Sequence, residues 1–311
     1  MRLAAYAREL HYESAALQLP EDMAKKTPPK STDEHIPSLI SNSKLQQMYA
    51  TMLRCRILES HTRQIVRRGS AARGKEAALV GTTIDLLPED AIATAGEAGI
   101  VSYIKGTSLS TIFSQLQLGA SGKTKTGKAS VLSSLAAQSG IATGIALTNS
   151  RQKSESITVA FLADSVESAA QAGAFAFAVA HKLPIIYVSN QLPKDAIEAQ
   201  PYGFPIIPVD GNDVVAVYRV AHECITRTRR GNGPSLIACT TLPAELSSTK
   251  SEDPLRSMEK YLAPKGLFTE AWRQQIIRSF EKEVKQALVA AKKASRDKQK
   301  PDVFDHVFPL Q

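Results

Sequence analysis

The sequence predicts an α/β fold, a doubly wound and mostly parallel sheet with helices on both faces, and three observations predict it. First, SITVAFLAD (156–164) and LPIIYVSN (183–190) are short, nearly continuous apolar runs of the kind buried parallel strands show, and SVESAAQAGAFAFAVAHK between them is helical in composition, so the three form a βαβ unit with a right-handed crossover. Second, DVVAVYRVAHECITRTRR predicts a helix ended by Gly231, and SLIACTT after Pro234 predicts a third strand, which continues the alternation. Third, a long helical pattern lies at each end of this core.

In chain order, residues 1–42 contain LPEDMAKKTPPKSTDEHIPS, rich in proline, serine and charge, and predict an extended N-terminal arm; residues 43–311 predict the folded domain with a C-terminal helical extension. From Ser43 onward, Leu45, Met48, Met52, Ile57 and Ile65 recur at near-helical spacing, with Ser43 as the expected cap. STIFSQLQLGAS predicts a helix. The stretch GKTKTGKA (122–129) after it comes within one residue of a nucleotide-binding P-loop, but Ala129 has no hydroxyl for magnesium and the preceding segment is not a strand, so a flexible basic loop is expected. FTEAWRQQIIRSFEKEVKQALVAAKKA predicts a long final helix capped by Thr269.

With 311 residues and 43% hydrophobic content the chain can bury a sizeable core. Cys55, Cys224 and Cys239 are odd in number and far apart, which excludes a disulfide framework and a zinc motif and points to a reducing compartment. Arg8, Glu9 and Glu13 interrupt what a signal peptide would need as its apolar core, and no apolar run approaches the roughly 18 residues of a membrane span, so a cytoplasmic protein is expected with no membrane partner. The formal charge is +8, with Lys25, Lys26, Lys30, Lys292, Lys293, Arg296, Lys298 and Lys300 near the ends. These residues are not interleaved with base-stacking aromatics, so nucleic acid is not the expected partner; solvated faces or an acidic protein surface are.

Asp164 and Asn190 each end a predicted parallel strand, where ligands of doubly wound sheets sit. The segments MYATMLRCRILE, GKEAALVG, DAIATAGEAGIVSYIKG, SGIATGIAL, VDGNDVVAVY, RRGNGPSLI, DPLRSMEKYLAPKGLFTEAW and PDVFDHVFP occur in the order and spacing of the alpha subunits of thiamine-diphosphate-dependent 2-oxoacid dehydrogenases, the E1 components of pyruvate and branched-chain type. The chain resembles that family over residues 44–311. The resemblance implies the thiamine-diphosphate-binding fold, an oxidoreductase acting on an oxo group with a disulfide acceptor, thiamine diphosphate and magnesium as cofactors, and a beta-type chain or a second copy as partner.

The family holds the diphosphate and its metal with a Gly-Asp-Gly turn after one strand and an Asn-Asn pair after the next, since glycines let backbone N–H groups approach phosphate and hard oxygen ligands hold magnesium. The matching residues here are Ala163, Asp164, Ser165 and Ser189, Asn190, Gln191, so Asp164 and Asn190 are the candidate remnants for cofactor and metal binding. The expectation for Asp164 is a helix-capping role. Gly96, Glu97 and Gly99 stand where the family has tyrosine, arginine and histidine, and Glu97 is expected to repel a diphosphate. Gly173 and Ala176 replace a glutamate and an asparagine, and KASVLSSLAAQSG and TTLPAELSSTK hold none of the family's active-site histidines, so no catalytic residue is assigned. The expectation is an E1-alpha-like pseudoenzyme acting as a structural or regulatory oligomer partner. The alternative is an active alpha subunit decarboxylating a 2-oxoacid together with a beta chain, and a third possibility is a different small molecule held by Asp164, Asn190 and Glu97.

Overall fold

A computed structural model describes residues 40–65, 74–94, 96–117, 124–126, 129–133, 138–162, 169–190, 202–240 and 253–298. Residues 1–39 of the expected arm and Asp164 lie outside the described residues. The elements in chain order are α1 (Asn42–Ile65), α2 (Glu76–Thr83), β1 (Ala91–Thr94), α3 (Ala98–Ile104), α4 (Leu109–Gln117), β2 (Thr124–Thr126), β3 (Ala129–Ser133), α5 (Gln138–Arg151), β4 (Thr158–Phe161), α6 (Ala169–Ala180), β5 (Ile185–Ser189), β6 (Ile206–Asp210), α7 (Val214–Arg229), β7 (Ser235–Thr240), α8 (Pro254–Leu262) and α9 (Glu270–Lys298).

One sheet of seven strands runs in the order β2-β3-β1-β4-β5-β7-β6, every neighbouring pair parallel except β2 with β3. The predicted βαβ unit is β4-α6-β5, with Val159 opposite Ile186. Successive side chains on a strand face opposite ways, and the core divides accordingly. Ile92, Val159, Phe161, Ile186, Val188, Ile237 and Cys239 face a layer built from α1, α2, α7 and α9, whereas Ala93, Ala160, Tyr187, Leu236 and Ala238 face α5 and α6. Both faces are therefore covered, as the continuous apolar runs require.

Three expectations are corrected. GKTKTGKA is not a flexible loop throughout: Thr124–Thr126 and Ala129–Ser133 pair antiparallel, Lys125 opposite Ser130, and form one border of the sheet. The cap of α1 is Ser41 rather than Ser43, because the helix begins at Asn42, two residues earlier, and the Lys44 N–H donates to Ser41 Oγ at 3.2 Å. The third predicted strand does pair with β5, but β6 adds a further strand beyond it that the sequence reading left unassigned; Pro208 fits there because β6 is an edge strand. Thr269 does cap α9, accepting from the Trp272 N–H at 3.2 Å.

Helix α2 approaches α7 so closely that a Cβ added at Gly81 would come within 2.7 Å of Val217 Cγ1, which explains the glycine. The same layer is tied by charge. Arg56 on α1 donates to Glu76 at 2.7 Å and to Asp253 at 2.7 Å, and Asp253 caps α8 by accepting from the Leu255 N–H. Burial works against ionising Asp253, yet the Arg56 bond and charge hold its carboxyl below the usual aspartate value.

Candidate functional site

Parallel strands in one sheet end on one edge, so the carboxyl ends of β1, β4 and β5 bring Thr94, Phe161 and Ser189–Asn190 to the same side of the molecule. Asn190 follows β5 and is 7% exposed. Because β4 lies between β5 and β1, Asn190 is two strand spacings, roughly 10 Å, from Thr94. The edge thus holds Asn190 and Glu97 together, as the strand-end rule anticipates.

Glu97 occupies the turn between β1 and α3 and does not project as a free charge. Its Oε2 accepts from Thr94 Oγ1 at 2.8 Å and from the Gly96 N–H at 3.2 Å, and its Oε1 lies 3.8 Å from Lys75 Nζ. Thr94 is fully buried, and the side chains of Lys75 and Glu97 are 13% and 12% exposed. Lys75 reaches the turn because it immediately precedes α2, whose first residue, Glu76, is locked to Arg56 and also accepts from the Gly74 N–H. The expected repulsion of a diphosphate by Glu97 therefore needs amending: a cation stands beside the carboxylate, and both are occupied with each other. Sequence reasoning missed Lys75, since no local pattern links residues 22 positions apart.

Behind the edge, Tyr187 on β5 is buried among Phe175 and Phe204, its hydroxyl 3.0 Å from Thr143 Oγ1 on α5; burial pushes its phenol up to about 12. Gly173 and Ala176 lie on the exposed face of α6, beside Phe177, which is 41% exposed. A Cβ at Gly173 would meet nothing within 4 Å, and the same holds for Gly140 and Gly144 on α5. His181 and His222 are exposed and His61 half-buried. Among the described residues no three His, Cys, Asp or Glu side chains gather to hold a metal ion, and no helix is long and apolar enough to cross a membrane.

A groove of about 520 Å³ opens at the opposite, amino edge, lined by Asp85, His222, Thr226, Arg229 and Arg230 among others. Two of its charged groups are engaged structurally. Asp85 accepts from Lys44 at 2.8 Å and Tyr218 at 2.5 Å, and Arg229 donates to Asp90 at 2.5 Å. Chemistry in this fold belongs at the other edge, so size alone does not make this groove the site.

The chain matches the family described as Dehydrogenase E1 component over residues 44–245. It is similar to the pyruvate dehydrogenase E1 component subunit alpha of Acholeplasma laidlawii, 23% identical over 90% of this chain and 92% of that one. It is 25% identical to the 2-oxoisovalerate dehydrogenase subunit alpha of Bacillus subtilis over 79% of this chain and 90% of that one. The match to the chloroplastic pyruvate dehydrogenase E1 component subunit alpha-3 of Arabidopsis thaliana is 29% identical over 54% of this chain and spans about half of that protein, 47%. With its parallel sheet, its strand-end residues and these relatives, the chain belongs to the dehydrogenase E1 component family and is alpha-subunit-like within it.

Proposed function

We propose that this chain is a non-catalytic E1-alpha-like subunit that serves as a structural or regulatory partner in a cytoplasmic 2-oxoacid dehydrogenase assembly. The observation that carries the reading is the state of Glu97. A diphosphate site needs cations and backbone N–H groups directed outward at the strand ends. Here the Gly96 N–H and the Lys75 ammonium are both directed at a carboxylate of the same chain, which adds negative charge at the turn. Asn190 supplies one buried amide to the edge. On these side chains the family's thiamine diphosphate and magnesium do not fit, and no reaction step is assigned.

The partner half of the proposal rests on α5 and α6. Glycine inside a helix costs roughly 1 kcal/mol relative to alanine, yet Gly140, Gly144 and Gly173 each face space that nothing among the described residues fills. Small residues beside exposed Ile141 and Phe177 suit the close approach of another subunit, a beta-type chain or a second copy.

The test is calorimetric titration of thiamine diphosphate with magnesium into the chain alone and mixed with an E1 beta-type chain from the same genome, with light scattering on the mixture. Complex formation without binding heat is expected. Magnesium-dependent binding in the mixture would overturn the non-catalytic reading and make this an active alpha subunit whose assay is 2-oxoacid decarboxylation.

A further inference from the structure

Several basic residues of the fold are matched by carboxylates: Lys44 with Asp85, Arg56 with Glu76 and Asp253, Lys75 with Glu97, Arg229 with Asp90, and Arg273 with Glu259 and Glu270. The next cation on α9 is Arg278, five residues past Arg273, and it has no such partner among the described residues. Helix α9 buries Ile276, Phe280, Val284 and Ala291 on one side. On its other side Arg278, Lys282, Lys285, Val289 and Lys292 follow one another at intervals of four, three, four and three, all exposed, with Val289 at 70%. None of these four cations has an ion-pair or hydrogen-bond partner among the described residues.

Along the helix Glu281 stands three residues from Arg278 and four from Lys285, but the cations of the stripe outnumber it. Like charges three and four residues apart repel, and a large aliphatic side chain in their midst is hydrated. The stripe is about 21 Å long at the α-helical rise, one helix wide and repeats every 3.5 residues, which is the period at which a second helix stays in register alongside. It carries no aromatic on which a base could stack, and its straightness follows a helix rather than a phosphate backbone.

We propose that the exposed face of α9 docks an acidic amphipathic helix of a partner protein, with carboxylates set against Arg278, Lys282, Lys285 and Lys292 and an apolar residue covering Val289. The face is separate from the α5 and α6 layer and from the carboxyl edge, so it stands whether or not the cofactor reading does. Charge complementarity of this kind speeds encounter and fixes register.

The experiment is fluorescence anisotropy of the full chain with a labelled acidic helical peptide about three heptads long, glutamates at alternating four- and three-residue intervals and leucine at the centre. A scrambled peptide of the same composition and a single-stranded oligonucleotide of equal charge serve as comparisons. The patterned peptide is expected to bind about tenfold or more tightly than the scrambled one, with affinity falling as salt is raised. The triple variant Lys282→Gln, Lys285→Gln, Lys292→Gln should lose that preference while its circular-dichroism melting curve stays at or above wild type, and Val289→Ala should weaken binding without changing its salt dependence. The variant Arg151→Gln, Arg230→Gln, on exposed cations elsewhere, should bind as wild type. Equal binding of patterned and scrambled peptides, tighter binding of the oligonucleotide, or equal losses from the Arg151 and Arg230 changes would each overturn the proposal.

Discussion

The two edges of the sheet treat a carboxylate in opposite ways. At the amino edge Asp90 is fully buried and accepts from the Leu87 N–H at 2.7 Å, the Ile157 N–H at 2.9 Å and Arg229, so one side chain fastens the start of β1 to the start of β4 and to the end of α7. Lys105 adds a bond to the Asp90 carbonyl, its ammonium pKa lowered by burial. At the carboxyl edge Glu97 has a looser set of partners, a longer ion pair and some exposure to water. The difference teaches where the molecule holds itself together and where it keeps polar groups near solvent: the first is a pin between three elements, the second a local closure of one turn.

Breaking the pin should have the largest effect. Asp90→Ala leaves the Arg229 guanidinium without its carboxylate, the buried Ile157 N–H without an acceptor and the part-buried Leu87 N–H without its bond, so a loss of about 3–5 kcal/mol is expected in urea unfolding. Arg229→Met should cost less, because Asp90 keeps its two backbone donors. A loss below about 1 kcal/mol for Asp90→Ala would mean the amino edge relaxes and is no pin.

The carboxyl edge should respond weakly. Glu97→Gln keeps an acceptor for Thr94 and Gly96 and removes only the pairing with Lys75, so under about 1 kcal/mol is expected, and a double-mutant cycle with Lys75→Met should give a coupling of the same size. A coupling near that of Asp90 with Arg229 would make the two edges equivalent and would recast Glu97 as a structural pin rather than a group occupying a vacated site.

Gly81 lies between these extremes of expectation on the helical wall and tests the packing that supports both edges. With Val217 Cγ1 at 2.7 Å from an added Cβ, and Tyr218 N at 3.1 Å, Gly81→Ala must push α2 from α7. About 1–3 kcal/mol is expected. The equivalent change at Gly173, where a Cβ meets nothing, should be neutral or stabilising in the isolated chain and should harm only association.

What the sequence disclosed follows from how each element is buried. β4, β5 and the helix between them were legible because both faces of those strands are covered, which leaves an apolar run with no polar alternation. β1, only Ala91–Thr94, is too short and too alanine-rich to stand out, and β6 is disguised by Pro208, which an edge position tolerates. GKTKTGKA reads as a loop because Gly122, Lys123, Gly127 and Lys128 surround β2 and precede β3, while the pairing of the two depends on each having the other as its partner strand. At the site, Asn190 was legible from the strand-end rule alone. Lys75 and Asp90 were not: each is a polar residue in a loop, which reads as solvated until the fold brings in Glu97 or Arg229.

The smallest effect separates the edges by pH. Burial alone would raise the Asp85 carboxyl, but hydrogen bonds from Lys44 and Tyr218 and the Lys44 charge outweigh it and hold the value below the ordinary one; the same contact, after burial, pushes the Tyr218 phenol up to about 12. A carboxyl whose folded value is depressed stabilises the fold above its unfolded value, near pH 4, and that contribution disappears as pH falls through the folded value. Asp85→Asn should therefore reduce stability at pH 7 and converge on wild type as the medium is acidified below about pH 4. Because Asp85 is partly exposed, the gap at pH 7 should stay under about 1 kcal/mol and narrow further in high salt. A gap that persisted unchanged into acid would show Asp85 acting as a neutral acceptor for Tyr218 rather than as the charge that anchors Lys44 at the start of α1. The amino edge would then be held by Asp90 alone, which sharpens the contrast with Glu97 instead of removing it.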